Sequence, residues 1–113
     1  MPKIVRLASG MIRGATSEKV DYSLPLDGPL FRRIAVHLTN GTKLHGGKRN
    51  WMQACGPEDL ARFREGAVRH FIQWYDGEAD EDHAAACFCN LNGAEYVRER
   101  LAAATAKRPA KRR

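Results

Sequence analysis

Five carboxylate side chains crowd into one stretch of seven residues, Asp76, Glu78, Asp80, Glu81 and Asp82. Negative charges this close repel one another unless water or a cation surrounds them. Oxygen ligands with few soft partners suit Mg2+ or Mn2+, so the stretch is a candidate metal site. The alternative is an exposed helix entrance, whose carboxylates cap the helix and complement its dipole. Spacing alone leaves both interpretations open.

His83 and Asn90 are polar residues on a helix face that is otherwise apolar. They are seven residues apart, so they lie two turns apart on the same stripe as Ala86 and Ala94. A buried amide without a partner costs about 1–3 kcal/mol, so both side chains need partners. The partners are either other groups of the protein (a structural role), or a ligand or metal-bound water (a functional role). His70, at the edge of the facing helix's apolar stripe, could meet them across the helix pair, although a structural role is more common for such a histidine.

A glycine-rich loop before the second helix carries three cations. Glycine lets the backbone approach an anion closely, and mobile lysine and arginine side chains suit phosphate oxygens. The loop contains no GxxxxGK[ST] motif and is therefore not a P-loop. Its tryptophan could stack on a base or anchor the loop to the core, and the second role is the more common one. The residues are Lys43, Gly46, Gly47, Lys48, Arg49, Asn50 and Trp51.

Three helices with apolar stripes are predicted to position these side chains. The first is expected over residues 29–41 and the second over 57–77, where Pro57 suits a first helical position. The third is expected to begin in the acidic stretch, with Asp80 or Asp82 as its N-cap, and to continue to about residue 104.

The predicted fold class is therefore all-α, a small domain of about three main helices. Glycines and prolines punctuate residues 1–28, which predicts an irregular N-terminal arm, with a brief β-ribbon as the less favoured alternative. The helical domain covers residues 29–106, and residues 107–113 form a basic tail that is expected to be disordered. Three helices of this size leave a thin core, so we expect a homodimer or higher homo-oligomer that completes a bundle.

Composition narrows the classes of function. The formal net charge is +6, and residues 107–113 supply +5 of it, so the body is close to neutral and contact with nucleic acid is expected only through the tail. Three cysteines without a CxxC pair indicate free thiols rather than a disulfide framework or zinc knuckle. No apolar run is long enough to span a membrane, and no signal peptide is visible, so a cytoplasmic protein is expected.

Several of these pieces occur together in one family, in the same order. The segments are Lys19–Pro25, Gly41–Gly46, Arg49–Trp51, Arg69-His70 with Trp74, Gly77–Asp80, and His83–Ala86 leading to Asn90. With them, roughly residues 13–100 resemble a phage and bacterial family of dATP/dGTP diphosphohydrolases, which is close to the MazG-like all-α nucleotide pyrophosphatases.

The resemblance implies hydrolysis of a purine (deoxy)nucleoside triphosphate to monophosphate and pyrophosphate with Mg2+ or Mn2+. It implies metal ligands at Glu78, Asp80 and Asp82, and a catalytic group of Glu78, Asp82 and His83. The implied substrate-binding residues are Lys43, Lys48, Arg49, Asn50, Trp51, His70 and Asn90. The alternative is a non-enzymatic phage-type accessory protein that contacts nucleic acid or an acidic partner through its basic tail.

Overall fold

The computed structural model describes residues 3–15 and 19–107. Three helices dominate it: α1 (Leu30–Leu44), α2 (Pro57–Tyr75) and α3 (His83–Lys107). The chain is thus a small all-α domain, as predicted. Helix α3 includes Lys107, the first residue of the predicted tail, and the rest of that tail lies outside the described residues. No helix within the described ranges is long and apolar enough to cross a membrane.

The N-terminal arm contains a two-stranded antiparallel ribbon, β1 (Ile4–Arg6) and β2 (Ile12–Gly14). Val5 pairs with Arg13 at its centre. The N-terminal arm is thus present as expected, and it contains the brief ribbon that was the less favoured alternative. The ribbon forms because Gly10 adopts a φ of 96°, which lets the chain reverse between the two strands.

Helix α1 is longer than predicted, because it continues through Asn40 and Gly41 to Leu44. The residues in the left-handed region are instead Gly46 and Gly47, with φ values of 84° and 129°. The stop signal was therefore assigned to the wrong glycine. Gly41 has a helical neighbour on each side and needs no positive φ, so nothing interrupts the helix there.

Local hydrogen bonds fix both ends of helix α2. The Asp59 carboxylate accepts from the backbone N–H groups of Cys55 and Gly56 at 3.0 and 3.1 Å, which fixes the first turn. At the other end Gly77 has a φ of 79°, and the Glu78 N–H donates to the Gln73 carbonyl at 3.0 Å. This is a Schellman ending, which turns the chain sharply into the acidic stretch.

Helix α3 begins at one of the two caps that the sequence indicates. The Ala85 N–H donates to Asp82 Oδ1 at 3.1 Å, so Asp82 is the N-cap. The helix then runs back antiparallel along α2. The approach is close: a Cβ on Gly93 would lie 2.5 Å from the Phe63 ring, and one on Gly66 would overlap the Asn90 amide.

The core is thin. The buried apolar side chains within the described residues are small, Ala67, Ala85, Ala86, Ala94 and Val97. Small residues let the two helices approach closely, but they remove little apolar surface from water. Large apolar side chains remain half exposed on α2.

Candidate functional site

The acidic stretch and the facing ends of α2 and α3 form a cluster of ionisable side chains around His83. His83 is 3% exposed and is the first residue of α3. Its Nδ1 lies 2.9 Å from Nδ1 of His70 on α2, so the two histidines meet across the helix pair as the sequence suggested. Glu81 Oε1 lies 3.5 Å from Nδ1 of His70 and 3.9 Å from Nδ1 of His83.

Asp80 fixes the orientation of the His83 ring. Nε2 of His83 lies 2.6 Å from Asp80 Oδ1, and a carboxylate only accepts, so Nε2–H donates. The Nδ1 atom of a neutral His83 then carries a lone pair that points towards His70, a tautomer that we infer from the hydrogen-bond network. The same hydrogen bond lowers the pKa of Asp80 below its usual value. Burial lowers the pKa of His70 and outweighs the nearby Glu81 carboxylate, which favours a neutral imidazole at His70.

Two overlapping groups in this cluster have the spacing of metal ligands. Donor atoms of His70, Glu81 and His83 lie within 4.8 Å of one another, and so do those of Glu78, Asp80 and His83. Both groups include an imidazole. The structure thus brings together Glu78 and Asp80, two of the three residues expected to hold metal, and adds His83.

Asp82, the third expected ligand, has a different partner. Arg33 of α1 donates from Nε to Asp82 Oδ2 at 2.8 Å and from Nη2 to Oδ1 at 2.6 Å. These hydrogen bonds lower the pKa of Asp82 to about 2. Its two oxygens serve the ion pair and the helix cap, so within the described residues Asp82 does not join either candidate ligand group.

A cavity of about 600 Å³ lies beside this cluster, between α1, the loop after it and α3. Four residues expected to bind substrate line it: Lys48, Asn50, Trp51 and Asn90. Glu81 also lines it, so one carboxylate belongs both to the cavity wall and to the histidine cluster. A space of this volume is within the range of small-molecule sites.

Three other residues expected to bind substrate lie elsewhere. Lys43 and Arg49 are exposed and do not line the cavity. His70 belongs to the histidine cluster instead, behind Glu81. The cationic loop therefore contributes one cation, Lys48, to the cavity rather than three.

The loop wall of the cavity is attached to α3. Residues Asn50–Gln53 form a short 3-10 helix. Tyr96 Oη donates to the Met52 carbonyl at 3.0 Å, and Arg100 Nη1 donates to the same carbonyl at 2.8 Å. The rings of Trp51 and Tyr96 meet edge to face with centroids 5.1 Å apart. Trp51 therefore has the anchoring role that was one of its two interpretations, while it also lines the cavity.

The amides in the cavity are partly committed to the protein. Asn90 Nδ2 donates to the Ala86 carbonyl at 2.8 Å, one turn back on α3. Asn50 Oδ1 accepts from Gln53 Nε2 at 3.1 Å, which leaves the Asn50 amide N–H groups for another partner. Each asparagine thus has a fixed orientation.

Sequence reasoning missed three residues of this region. His37 lies on the apolar stripe of α1, three residues after Ile34, so a polar residue at a core-facing spacing was the signal that could have found it. Glu81 was noted within the acidic stretch, but no spacing rule separates it from its neighbours. Arg33 gave no signal, because its partner Asp82 is 49 residues away.

Thiol chemistry is not suggested by the cavity. Cys89 lines it, but burial, with a smaller effect of Asp82, raises the pKa of this thiol to about 11. Since the thiolate is the reactive form, this shift argues against Cys89 as a nucleophile near neutral pH. The three cysteines are free in the structure, as expected.

Comparison with protein-family models, curated proteins and solved structures gives no match for this chain. The site combines a cavity with amide, aromatic and cationic walls and an adjoining group of carboxylates and imidazoles. Such a combination suits a phosphorylated ligand beside a divalent cation.

Proposed function

We propose that this chain is a metal-dependent hydrolase of purine nucleoside triphosphates, including deoxynucleotides, that releases the monophosphate and pyrophosphate. The observation that supports it most strongly is the double position of Glu81. Its carboxylate is near His70 and His83 on one side and lines the cavity with Lys48, Asn50 and Trp51 on the other. A phosphate bound in the cavity would therefore lie beside the two overlapping groups of side chains in the described ranges that combine imidazole and carboxylate ligands.

The cavity residues suit the parts of a nucleotide. Lys48 supplies a mobile ammonium for phosphate oxygens, as a point charge rather than a bidentate clamp. Trp51 offers an aromatic face or edge for a base. Asn50 presents amide N–H groups, and Asn90 presents an amide held by its own helix, so both can donate to acceptors of a base or sugar.

The chemistry of the donors fits a divalent cation next to the cavity. A bound cation would polarise the phosphate and lower the pKa of an attacking water. Glu78 is the candidate acceptor for that water's proton, because its carboxylate lies within 4.8 Å of a carboxylate oxygen of Asp80 and a ring nitrogen of His83. Asp82, which was expected to share this role, instead connects α1 to α3. Such an enzyme would act in the cytoplasm, where its substrates are.

The same proposal includes a homodimer, in which a second copy of this chain packs against helix α2. Helix α2 exposes a row of large side chains, including Val68, Phe71 and Ile72, which are 51–60% exposed. Gln73 Oε1 is buried without a hydrogen-bond partner among the described residues, and Gln73 lines the groove along this face. Arg64, Glu65 and Arg69 border the groove, so a second copy whose arginine lies beside Glu65 would pair unlike charges, and its side chains could supply a donor to Gln73.

Turnover of purified chain is the test of the proposed activity. With dGTP or dATP and Mg2+ or Mn2+, we expect equal amounts of monophosphate and pyrophosphate, resolved by ion-exchange chromatography. Glu81→Gln should lower kcat/KM by at least about 100-fold, and Lys48→Ala should raise KM. Lys3→Ala, the same substitution on the N-terminal arm, is the matched control and should behave as wild type.

Two outcomes would count against the hydrolase. One is no turnover of any common nucleoside triphosphate with Mg2+, Mn2+, Co2+ or Zn2+. The other is release of inorganic phosphate, which would mean cleavage at the terminal phosphate. If turnover is absent and DNA binding depends steeply on salt and on residues 107–113, the accessory-protein alternative is supported instead.

A further inference from the structure

The two histidines of the cluster are arranged in a way that suits a shared ligand as well as a hydrogen bond. His70 comes from the last third of α2 and His83 from the first turn of α3, and their Nδ1 atoms face each other at 2.9 Å. Glu81 brings a negative oxygen to the same point, 3.5 and 3.9 Å from the two nitrogens. Three potential ligand atoms thus converge from two helices and the segment that joins them.

Asp80 orients His83 so that its other ring nitrogen can act as a ligand. Because Nε2–H of His83 donates to Asp80 at 2.6 Å, the other ring nitrogen of the neutral side chain has a lone pair. A carboxylate that accepts from the far nitrogen of a histidine is the usual outer partner of a metal-bound imidazole, since it fixes the tautomer and raises ligand basicity. Asp80 is therefore in the position of an orienting residue rather than a ligand.

The distances agree with those around a metal ion. Metal–nitrogen bonds of about 2.0–2.1 Å separate two ligand atoms by about 3.0 Å in octahedral geometry and by about 3.4 Å in tetrahedral geometry. The observed 2.9 Å between the histidines matches the octahedral value and the 3.5 Å from His70 to Glu81 is close to the tetrahedral one, whereas the 3.9 Å from His83 to Glu81 exceeds both. Small rotations of the half-exposed Glu81 side chain would bring its oxygen to the required distance.

We propose that His70, Glu81 and His83 form a binding site for a divalent first-row transition-metal ion, such as Mn2+, Co2+ or Zn2+, with Asp80 orienting His83. Two imidazoles and one carboxylate select these ions over Mg2+, which prefers oxygen ligands. Glu81 also lines the cavity, so the proposed site adjoins it. The site differs from the oxygen-only set of Glu78, Asp80 and Asp82, and it needs no nucleotide chemistry.

Metal binding by the full chain, measured without substrate, tests this site. After treatment with EDTA, the chain is titrated by calorimetry with Mn2+, Zn2+ and Mg2+, and with Co2+ while its visible absorption is recorded. We expect one transition-metal ion per chain, bound at least about 100-fold more tightly than Mg2+. Glu81→Gln and His70→Gln should each weaken binding at least about 10-fold, and Asp80→Asn should weaken it about 10–100-fold.

Two control variants separate the possible sites. Glu78→Gln changes a carboxylate of the other candidate group and should bind metal as wild type does. His37→Gln changes a histidine that lines the same cavity but belongs to neither candidate group, and it should also bind normally. Circular dichroism checks that each variant is folded, and Glu81→Gln keeps the test valid if variants of the buried His83 are unstable.

Two results would overturn the proposal. If Mg2+ binds as tightly as Mn2+ and Glu78→Gln abolishes binding while His70→Gln does not, the site is made of carboxylates. If none of the four ions binds, His70 and His83 share a hydrogen bond only. Failure of the metal site is distinguishable from failure of the hydrolase, because the titration contains no nucleotide.

Discussion

Arg33 and Asp82 join the first and third helices through a bidentate ion pair. The Arg33 guanidinium donates to both Asp82 oxygens, at 2.8 and 2.6 Å, and Asp82 Oδ1 also accepts from the Ala85 N–H that begins α3. One carboxylate therefore caps a helix and connects it to another. The acidic stretch is thus divided, with Asp82 turned towards α1 and Asp80 and Glu81 turned towards the histidines.

Substitution of Asp82 should separate its two roles. Asp82→Ala removes the cap and the ion pair, and we expect the free energy of unfolding to fall by about 1–2 kcal/mol. Asp82→Asn keeps a good N-cap but loses the charge and one of the two acceptors for Arg33, so about half of that loss is expected. Glu95→Ala, which removes the exposed 3.8 Å pair with Arg98, is the control and should change stability by no more than about 0.5 kcal/mol. Equal losses for Asp82→Ala and Asp82→Asn would contradict the capping role.

The free energy of unfolding should decrease at acidic pH because Asp82 becomes protonated. The pKa of Asp82 is about 2 in the folded chain, whereas an aspartate in an unfolded chain titrates near about 3.9. Its contribution is therefore complete above about pH 5 and is lost as the pH falls towards 2. Denaturant titrations between pH 2 and 7 should show this loss, and Asp82→Asn should flatten the curve. The pKa of Asp59 is lowered by the N–H groups of Cys55 and Gly56, so Asp59→Asn should act in the same direction.

The close approach of α2 and α3 predicts opposite effects for two glycines. Gly93→Ala would put a methyl group 2.5 Å from the Phe63 ring, so we expect a loss of about 1–3 kcal/mol despite alanine's better helix propensity. Gly41→Ala adds the same methyl group to α1, where no atom lies within 4 Å, and should stabilise by up to about 1 kcal/mol. Thermal unfolding measures both changes. Equal effects of the two substitutions would mean that the helices are not packed this closely.

Tyr96 should hold the 50–53 segment, which forms the loop wall of the cavity, in place. Tyr96→Phe removes the 3.0 Å hydrogen bond to the Met52 carbonyl, and we expect about 0.5–1.5 kcal/mol of destabilisation and a change in Trp51 fluorescence. Binding of a nucleotide should weaken as well, since Asn50 and Trp51 belong to the segment that Tyr96 holds. Tyr75→Phe is the matched control, because Tyr75 is 76% exposed on α2. An unchanged Trp51 signal in Tyr96→Phe would contradict this attachment.

Local signals in the sequence determined the class and most helix ends of this protein. Pro57 with Asp59 specifies the start of α2, and Asp82 caps α3, because capping needs only side chains within one turn of the helix end. The meeting of His70 and His83 followed from the apolar stripes of two consecutive helices. The end of α1 was misjudged, because several glycines offered a stop and propensity does not choose among them.

Tertiary structure alone decided what each carboxylate does. Arg33 and Asp82 are 49 residues apart, so their pairing depends on where α1 lies against α3, which no local pattern encodes. The same packing places Lys48 in the cavity wall and leaves Lys43 and Arg49 in solvent. Composition and spacing therefore identified a region rich in charge, and the three-dimensional arrangement of the helices determined which charges meet.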